Sequence, residues 1–527
     1  MKSLLLLLAL LAPHFHEAVL TISGASCTEE LSEEELQHYQ TLAQHPLELN
    51  LAGASRLRSS GLFSPYQVAS LLDYRRESGD ILSIRELGLV DGFSPALAEA
   101  LSLFVSLRSS SPPGHREALD FRSSLTVKGS ARTPGQYALG LRYEAALGER
   151  AEFRWTSRTT YSEPELSLGT VSAAWYGKGV LGKAVAGHFN ARFGQGLVSW
   201  SGFSLSSFSS AASFYRNPSG ITVTGAAGAE MCGAGAELNF GRYTLSGAWD
   251  ALGKGGVVNL SRLGRYSTIG MTANLDAASL DWRISLPQTS LFGEAAYSYG
   301  GKFSALAGLL WVPQYARKFT LQARWYDRSV SKYSGLALGL DTPLCVMTAD
   351  ISTRRDKSRA RHRLLLLLRK DHLAKDSLLL KPALRLSARY QPSESSPLRA
   401  DLRADLSAQK RGWTLGGRFN ALWCKAFAWL SYIEGGYGGE KFRLWLRGGL
   451  FRIDNWDDRI YVYERDAPGS FNVPAYYGCG WNASLFLTWN ISRAHSLWLR
   501  AETISYPWNP AAKDGRTQLR MQYRWKL

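Results

Sequence analysis

The sequence predicts a mainly β protein: a large transmembrane antiparallel β-barrel of roughly 16 to 20 strands, preceded by a small all-α domain. Three observations predict it. In the last ten residues, Leu519, Met521, Tyr523, Trp525 and Leu527 alternate with Arg520, Gln522, Arg524 and Lys526, giving one apolar and one cationic strand face. From about Leu119 the chain breaks into segments of roughly ten residues, separated by Gly, Asn, Asp or Pro, as barrel strands require. The N-terminus has the pattern of an export signal.

That signal is Met1-Lys2-Ser3 followed by the apolar run Leu4–Ala12, with small residues Ser23-Gly24-Ala25 for cleavage, so residues 1–25 are expected to be a signal peptide. Cys27 raises lipidation, against which Gly24 stands where an aliphatic residue is wanted. The other cysteines, Cys232, Cys345, Cys424 and Cys479, form no C-x-x-C pair and suggest neither zinc nor a disulfide framework. No apolar run reaches the ~18 residues of a spanning helix, which excludes a helical membrane protein. Glycine (50), tyrosine (24) and tryptophan (17) suit strands ending in aromatic girdles.

Residues 26–108 read as helical. Thr28–Gln44 is acidic, with Leu31, Leu36, Tyr39 and Leu42 on one helical face. Ser64-Pro65 and Ser94-Pro95 each place a cap before a first-turn proline, Ser83–Glu86 is a capping box, and Gly79 and Gly88 mark helix ends. Residues 109–118, rich in Ser and Pro, are a linker to a barrel at 119–527.

The motifs Leu49-Asn50-Leu51-Ala52, Ser64–Arg75, Ile84–Leu87 and Val90–Ser94 resemble the tandem helix-hairpin-helix module of ComEA-type competence proteins. That resemblance implies non-specific DNA binding, with phosphates on hairpin N–H groups at Leu62, Phe63, Ser64 and at Gly92, Phe93, Ser94, where helices begin. The first triplet lacks both glycines of the family pattern and the second keeps one. Between Thr28 and Arg108, twelve acids face six bases, whereas DNA binding relies on cationic surplus.

The terminal strand resembles the closing strand and assembly signal of outer-membrane barrels. The long interruptions His188–Asn217 and Arg459–Tyr477 resemble segments of a Gram-negative outer-membrane family that fuses a helix-hairpin-helix domain to a barrel. These resemblances imply an outer-membrane location with a periplasmic N-terminal domain. The implied partners are membrane lipid, lipopolysaccharide and the barrel assembly machinery. The interruptions are expected either to fold into the lumen or to lie on the surface.

No catalytic pattern is present: there is no H-E-x-x-H, no G-x-S-x-G and no phosphate loop, so neither enzyme activity nor a cofactor is expected. Asp454, Asp457, Asp458, Glu464 and Asp466 are a calcium candidate, but a solvated acidic loop fits their spacing better, and no metal site is expected. Residues 109–527 carry 54 Lys/Arg against 31 Asp/Glu, densest at Arg354, Arg355, Lys357, Arg359, Arg361 and Arg363. On lumen faces such residues make an anion-attracting pore; on the rim they bind lipopolysaccharide phosphates. Two functions remain. One is DNA handling at the outer membrane, as in competence. The other is a porin-like or structural barrel whose acidic module docks a periplasmic protein or plugs the lumen.

Overall fold

The computed structural model describes residues 15–25, 28, 31 and 33–109, and residues 120–527 apart from 164, 202–208, 225–230, 254, 265, 287, 315–316, 328–331, 355–358, 375–376, 440, 471 and 510–513. Cys27, the leader's charged and leucine-rich start, and all but the first residue of the expected linker lie outside the described residues.

The helical part consists of Phe15–Ser23 (α1), Glu33–Gln44 (α2), Ala54–Ser59 (α3), Pro65–Glu77 (α4), Ile84–Leu87 (α5) and Pro95–Leu101 (α6). Serine caps set the starts. Ser64 Oγ accepts from Gln67 N while Gln67 Oε1 accepts from Ser64 N, and Ser94 Oγ accepts from Leu97 N. At Ser83 the expected capping box forms only in part. Ser83 Oγ caps Glu86 N, but the Glu86 carboxylate accepts instead from Leu82 N and the Tyr74 hydroxyl. The Tyr74 hydrogen bond holds the Glu86 carboxyl below its ordinary pKa.

Two short strands, Leu47–Glu48 (β1) and Val105–Ser106 (β2), pair in parallel and bring the ends of this module together. Asn50 explains part of the motif that contains it. Buried, it donates to the Ile81 and Leu107 carbonyls and accepts from Ile81 N, tying three segments with one side chain. Within the expected leader, α1 packs on the module, with Ala18 and Val19 buried and Phe15 6.0 Å from Phe104, ring to ring.

From Phe121 onward, antiparallel strands follow one another as neighbours, and the last, Arg516–Lys526, pairs with both His495–Ser505 and the first, Phe121–Arg132. This strand order is that of a closed 24-strand barrel, counting Gly220–Val223 and His372–Leu373 as short additions. The expected 16 to 20 strands undercounted because many turns need only two residues, such as Gly241-Arg242, Leu275-Asp276 and Arg411-Gly412, between strands of 8 to 13 residues.

Alternation sorts the two faces. In the final strand, Leu519, Met521, Trp525 and Leu527 are exposed while Gln518, Gln522 and Arg524 are buried. Phe442, Leu446 and Leu450 are likewise exposed, and Arg447 between them is buried. A closed sheet with an apolar skin satisfies its backbone internally and needs lipid around it. The protein is an outer-membrane barrel.

The described chain groups into two compact units: residues 1–121, 146–153 and 172–330, and residues 122–145, 154–171 and 331–527. The first contains the helical module and the strands from Leu181–Arg192 to Arg317–Tyr326. The second contains both terminal strands and those from Ser334–Asp341 onward.

Candidate functional site: the lumen wall and what lies against it

Each long interruption folds onto the polar face of its own unit. In the first unit, His188–Arg192 belongs to the strand Leu181–Arg192, so the insertion begins only at Phe193. Buried Glu294 accepts from Gln195 N (2.6 Å) and Leu197 N (3.1 Å). Thr320 and Gln322 donate to the carbonyls of Ala211 and Phe214, and Arg283 reaches the Arg216 carbonyl at 2.5 Å. A surface loop would leave these groups to water; here the wall satisfies them.

In the second unit, Ile460–Tyr461 and Ala475–Tyr476 form a small hairpin within the other insertion. Buried Glu464 accepts from Tyr476, Asn472 and Arg500, and Asp466 is paired with Arg500 and Arg520. Arg465 bonds Glu434 at 2.8 Å and covers the Trp445 ring, 3.6 Å from its centroid. The remaining calcium candidates are engaged too. Asp458 accepts from the N–H groups of Lys425 and Ala426, Asp457 pairs with Lys425, and Asp454 lies 3.7 Å from Arg452. Among the described residues no group of acids, histidines or cysteines is placed to hold a metal.

Beside this insertion runs a cationic wall. On Arg359–Arg369, Leu379–Tyr390 and Leu398–Lys410 the exposed residues include Leu364, Leu368, Leu384, Leu386, Leu398 and Leu406. Alternation therefore places Arg359, Arg361, Arg363, Arg385, Arg389, Arg399 and Arg403 on the opposite, lumen side. The register lines them up: Arg363 opposes Arg389, which opposes Arg399, and Arg385 opposes Arg403. Neighbouring strands lie ~4.8 Å apart, and like charges directly opposed are destabilising. Partners hold them in place: Asp350 pairs with Arg363, Asp405 with Arg403 and Arg418, Glu394 with Arg389, and Arg399 donates to the Asp457 (2.6 Å) and Arg459 (2.9 Å) carbonyls. Arg355 and Lys357 lie outside the described residues.

The helical module meets the wall of the first unit through α3. Arg56 bonds Glu149 (2.7 Å) and Glu152 (3.3 Å). Burial works against its charge, but the two carboxylates hold its pKa well above the ordinary value. Arg58 donates to Thr244 (3.0 Å) and Asn239 (3.2 Å) and lies 3.8 Å from Glu237. Lys183, fully buried, donates to Ser59 (2.6 Å) and pairs with Glu237 (2.9 Å). Nothing in the sequence marked these groups, because they are spread from Ser55 to Thr244.

The six hairpin residues proposed for DNA come together, but they pack on one another. Leu62 and Phe63 are buried, and the rings of Phe63 and Phe93 lie 5.9 Å apart. The Gly92 carbonyl accepts from Gln67 Nε2 at 2.8 Å. Ser64 and Ser94 already occupy the helix-start N–H groups of Gln67 and Leu97. Of the module's bases, Arg56 and Arg58 face the wall, Arg75 donates to the Asn50 and Ala52 carbonyls, and Arg108 lies against Glu48.

Gly92 has φ +82°, and a Cβ there would lie 2.8 Å from the Tyr66 ring. Replacing Gly92 with Val is therefore expected to destabilise the module by roughly 2 kcal/mol or more, from left-handed strain plus the clash. Faster limited proteolysis near residues 80–95 in the intact protein checks this, and unchanged digestion would contradict it.

No family model matches the chain, and no curated protein matches it. Among solved structures it is similar to the translocation pore of the P pilus usher PapC, at 8% identity and a TM-score of 0.40, covering 77% of this chain and 99% of that one. It is also similar to OccK10 (OpdN) of Pseudomonas aeruginosa, at 12% identity and a TM-score of 0.32, covering 78% and 99%. A third is OccAB3 of Acinetobacter baumannii, at 8% identity and a TM-score of 0.32, covering 77% and 100%.

Proposed function

We propose that the protein is a porin-like channel for anionic solutes, occluded from its periplasmic end by the helical module. The observation that carries this reading is the row Arg363, Arg389 and Arg399, with Arg385 and Arg403 beside it, on the lumen face of three adjacent strands. So many guanidinium groups aligned on one face give it a positive field, which draws anions into a permeation path. The occlusion is supported by α3, which sits at the turn Gly148–Arg150 and the strand start at Lys183. Both long insertions leave from the opposite strand ends, as the longer extracellular loops of such barrels do.

The test is a planar bilayer measurement under a salt gradient, using the protein with residues 26–108 removed. A reversal potential of the sign for anion preference supports the reading, and cation preference or no conductance defeats it. The finer reading from the hairpin resemblance, non-specific DNA binding, has no hairpin contact in its favour. A gel shift of the 28–108 fragment across salt concentrations decides it, and binding that weakens steeply with salt would restore it.

A further inference from the structure

Resting on the occluded-channel reading, we propose that α3 and the wall of the first unit form a releasable electrostatic latch, so that the channel is gated by undocking of the module. The side-chain bonds of α3 to the wall are polar, and one aromatic contact, Tyr66 to Tyr266 at 6.1 Å between ring centroids, lies outside α3. Arg56 meets Glu149 and Glu152, Arg58 meets Glu237, Asn239 and Thr244, Ser55 accepts from Asn239 at 3.1 Å, and Ser59 accepts from Lys183. The wall's nearby apolar cluster, which includes Phe189, Ile221 and Val223, contains no module residue. Undocking at α3 therefore exposes mainly charge to water, and reduces the penalty that makes apolar interfaces permanent.

The wall is also built to outlast the module's departure. Glu237 keeps Lys183 and the Ile221 N–H, and Lys183 keeps the Ile221 carbonyl. Glu152 keeps the Tyr176 hydroxyl. Of the wall's carboxylates only Glu149, whose partners Arg56 and the Glu48 N–H both belong to the module, is left to water, while the deeper charges keep a partner and avoid the cost of breaking an ordinary buried ion pair. The arrangement has two self-consistent states, docked and released. Because the pairing groups are Arg, Lys and Glu, ionic strength rather than pH near neutrality controls it.

The experiment uses full-length protein in liposomes and reads two things: flux of a small organic anion, and acylation of Lys183 by a water-soluble N-hydroxysuccinimide ester, located by mass spectrometry. In the wild type Lys183 is fully buried and should react slowly. In the double variant Arg56→Ala, Arg58→Ala both acylation and flux should rise by roughly tenfold or more, the size of effect expected when about 1.4 kcal/mol of docking is lost. Raising wild-type salt from about 0.1 to about 1 M should speed acylation in the same direction. The wall-side variant Glu149→Gln, Glu152→Gln gives a second route should the first fail to show heat-modifiable migration. Lys183 remaining slow in both folded variants overturns the latch. If removal of residues 26–108 opens flux but neither variant does, the channel reading stands and the latch falls. If even removal opens no flux, the channel reading itself falls.

Discussion

Changing Tyr523, Trp525 and Leu527 together to serine is expected to abolish the folded barrel in the outer-membrane fraction. The final strand is hydrogen-bonded on both sides, to Phe121–Arg132 and to His495–Ser505, so it is the seam of the sheet. Trp525 and Leu527 are exposed on the lipid face, and the Tyr523 ring stacks near His495, which its hydroxyl meets at Nδ1 (2.6 Å). Removing three large apolar side chains from lipid costs roughly 1.5–3 kcal/mol each, comparable in sum to the whole stability of a domain. An open seam in lipid is costlier still. The same residues would carry the proposed signal to the assembly machinery. The measurement is heat-modifiable gel migration of fractionated membranes, and normal levels of the folded form would contradict the assignment.

The second large effect is on selectivity. Converting Arg385, Arg389, Arg399 and Arg403 to glutamine in the protein lacking residues 26–108 is expected to lower the anion-to-cation permeability ratio by roughly tenfold. The barrel should persist, because the four residues lie on the polar face and Asp405 keeps Arg418 as a partner at 2.6 Å. A reversal potential unchanged by the four substitutions would remove these arginines from the permeation path.

Fold class was legible because period-two alternation survives in single strands. Phe442, Leu444 and Leu446 against Arg443, Trp445 and Arg447 read directly as two faces, and in the structure Phe442 and Leu446 are exposed while Arg447 is buried. The module's helix starts were legible for a similar reason, since Ser64, Ser83 and Ser94 act through contacts three residues away. The strand number was not, because turns of two residues leave little punctuation. Glu86 shows a local rule outbid by a tertiary partner, the Tyr74 hydroxyl. The arginine wall was half legible. The density at Arg359–Arg363 was visible, but its alignment with Arg389 and Arg399 is a property of register, which no single strand encodes. The latch was invisible, because Arg56 and Arg58 resemble any helix arginines until Glu149 and Glu237 stand beside them.

The seam also has a temporal meaning. Ser124 pairs with Lys526, so closure joins segments about 400 residues apart, at an entropic cost of roughly 5 kcal/mol. The module asks far less. Its strand pairing of Leu47 with Val105 spans under sixty residues, and even the ring contact of Phe15 with Phe104 spans under ninety. Contacts of short range form sooner than contacts of long range. The helices are thus complete while the sheet is still an open ribbon. The α3 surface that Glu149, Glu152 and Glu237 meet is therefore folded before those strands close into a ring.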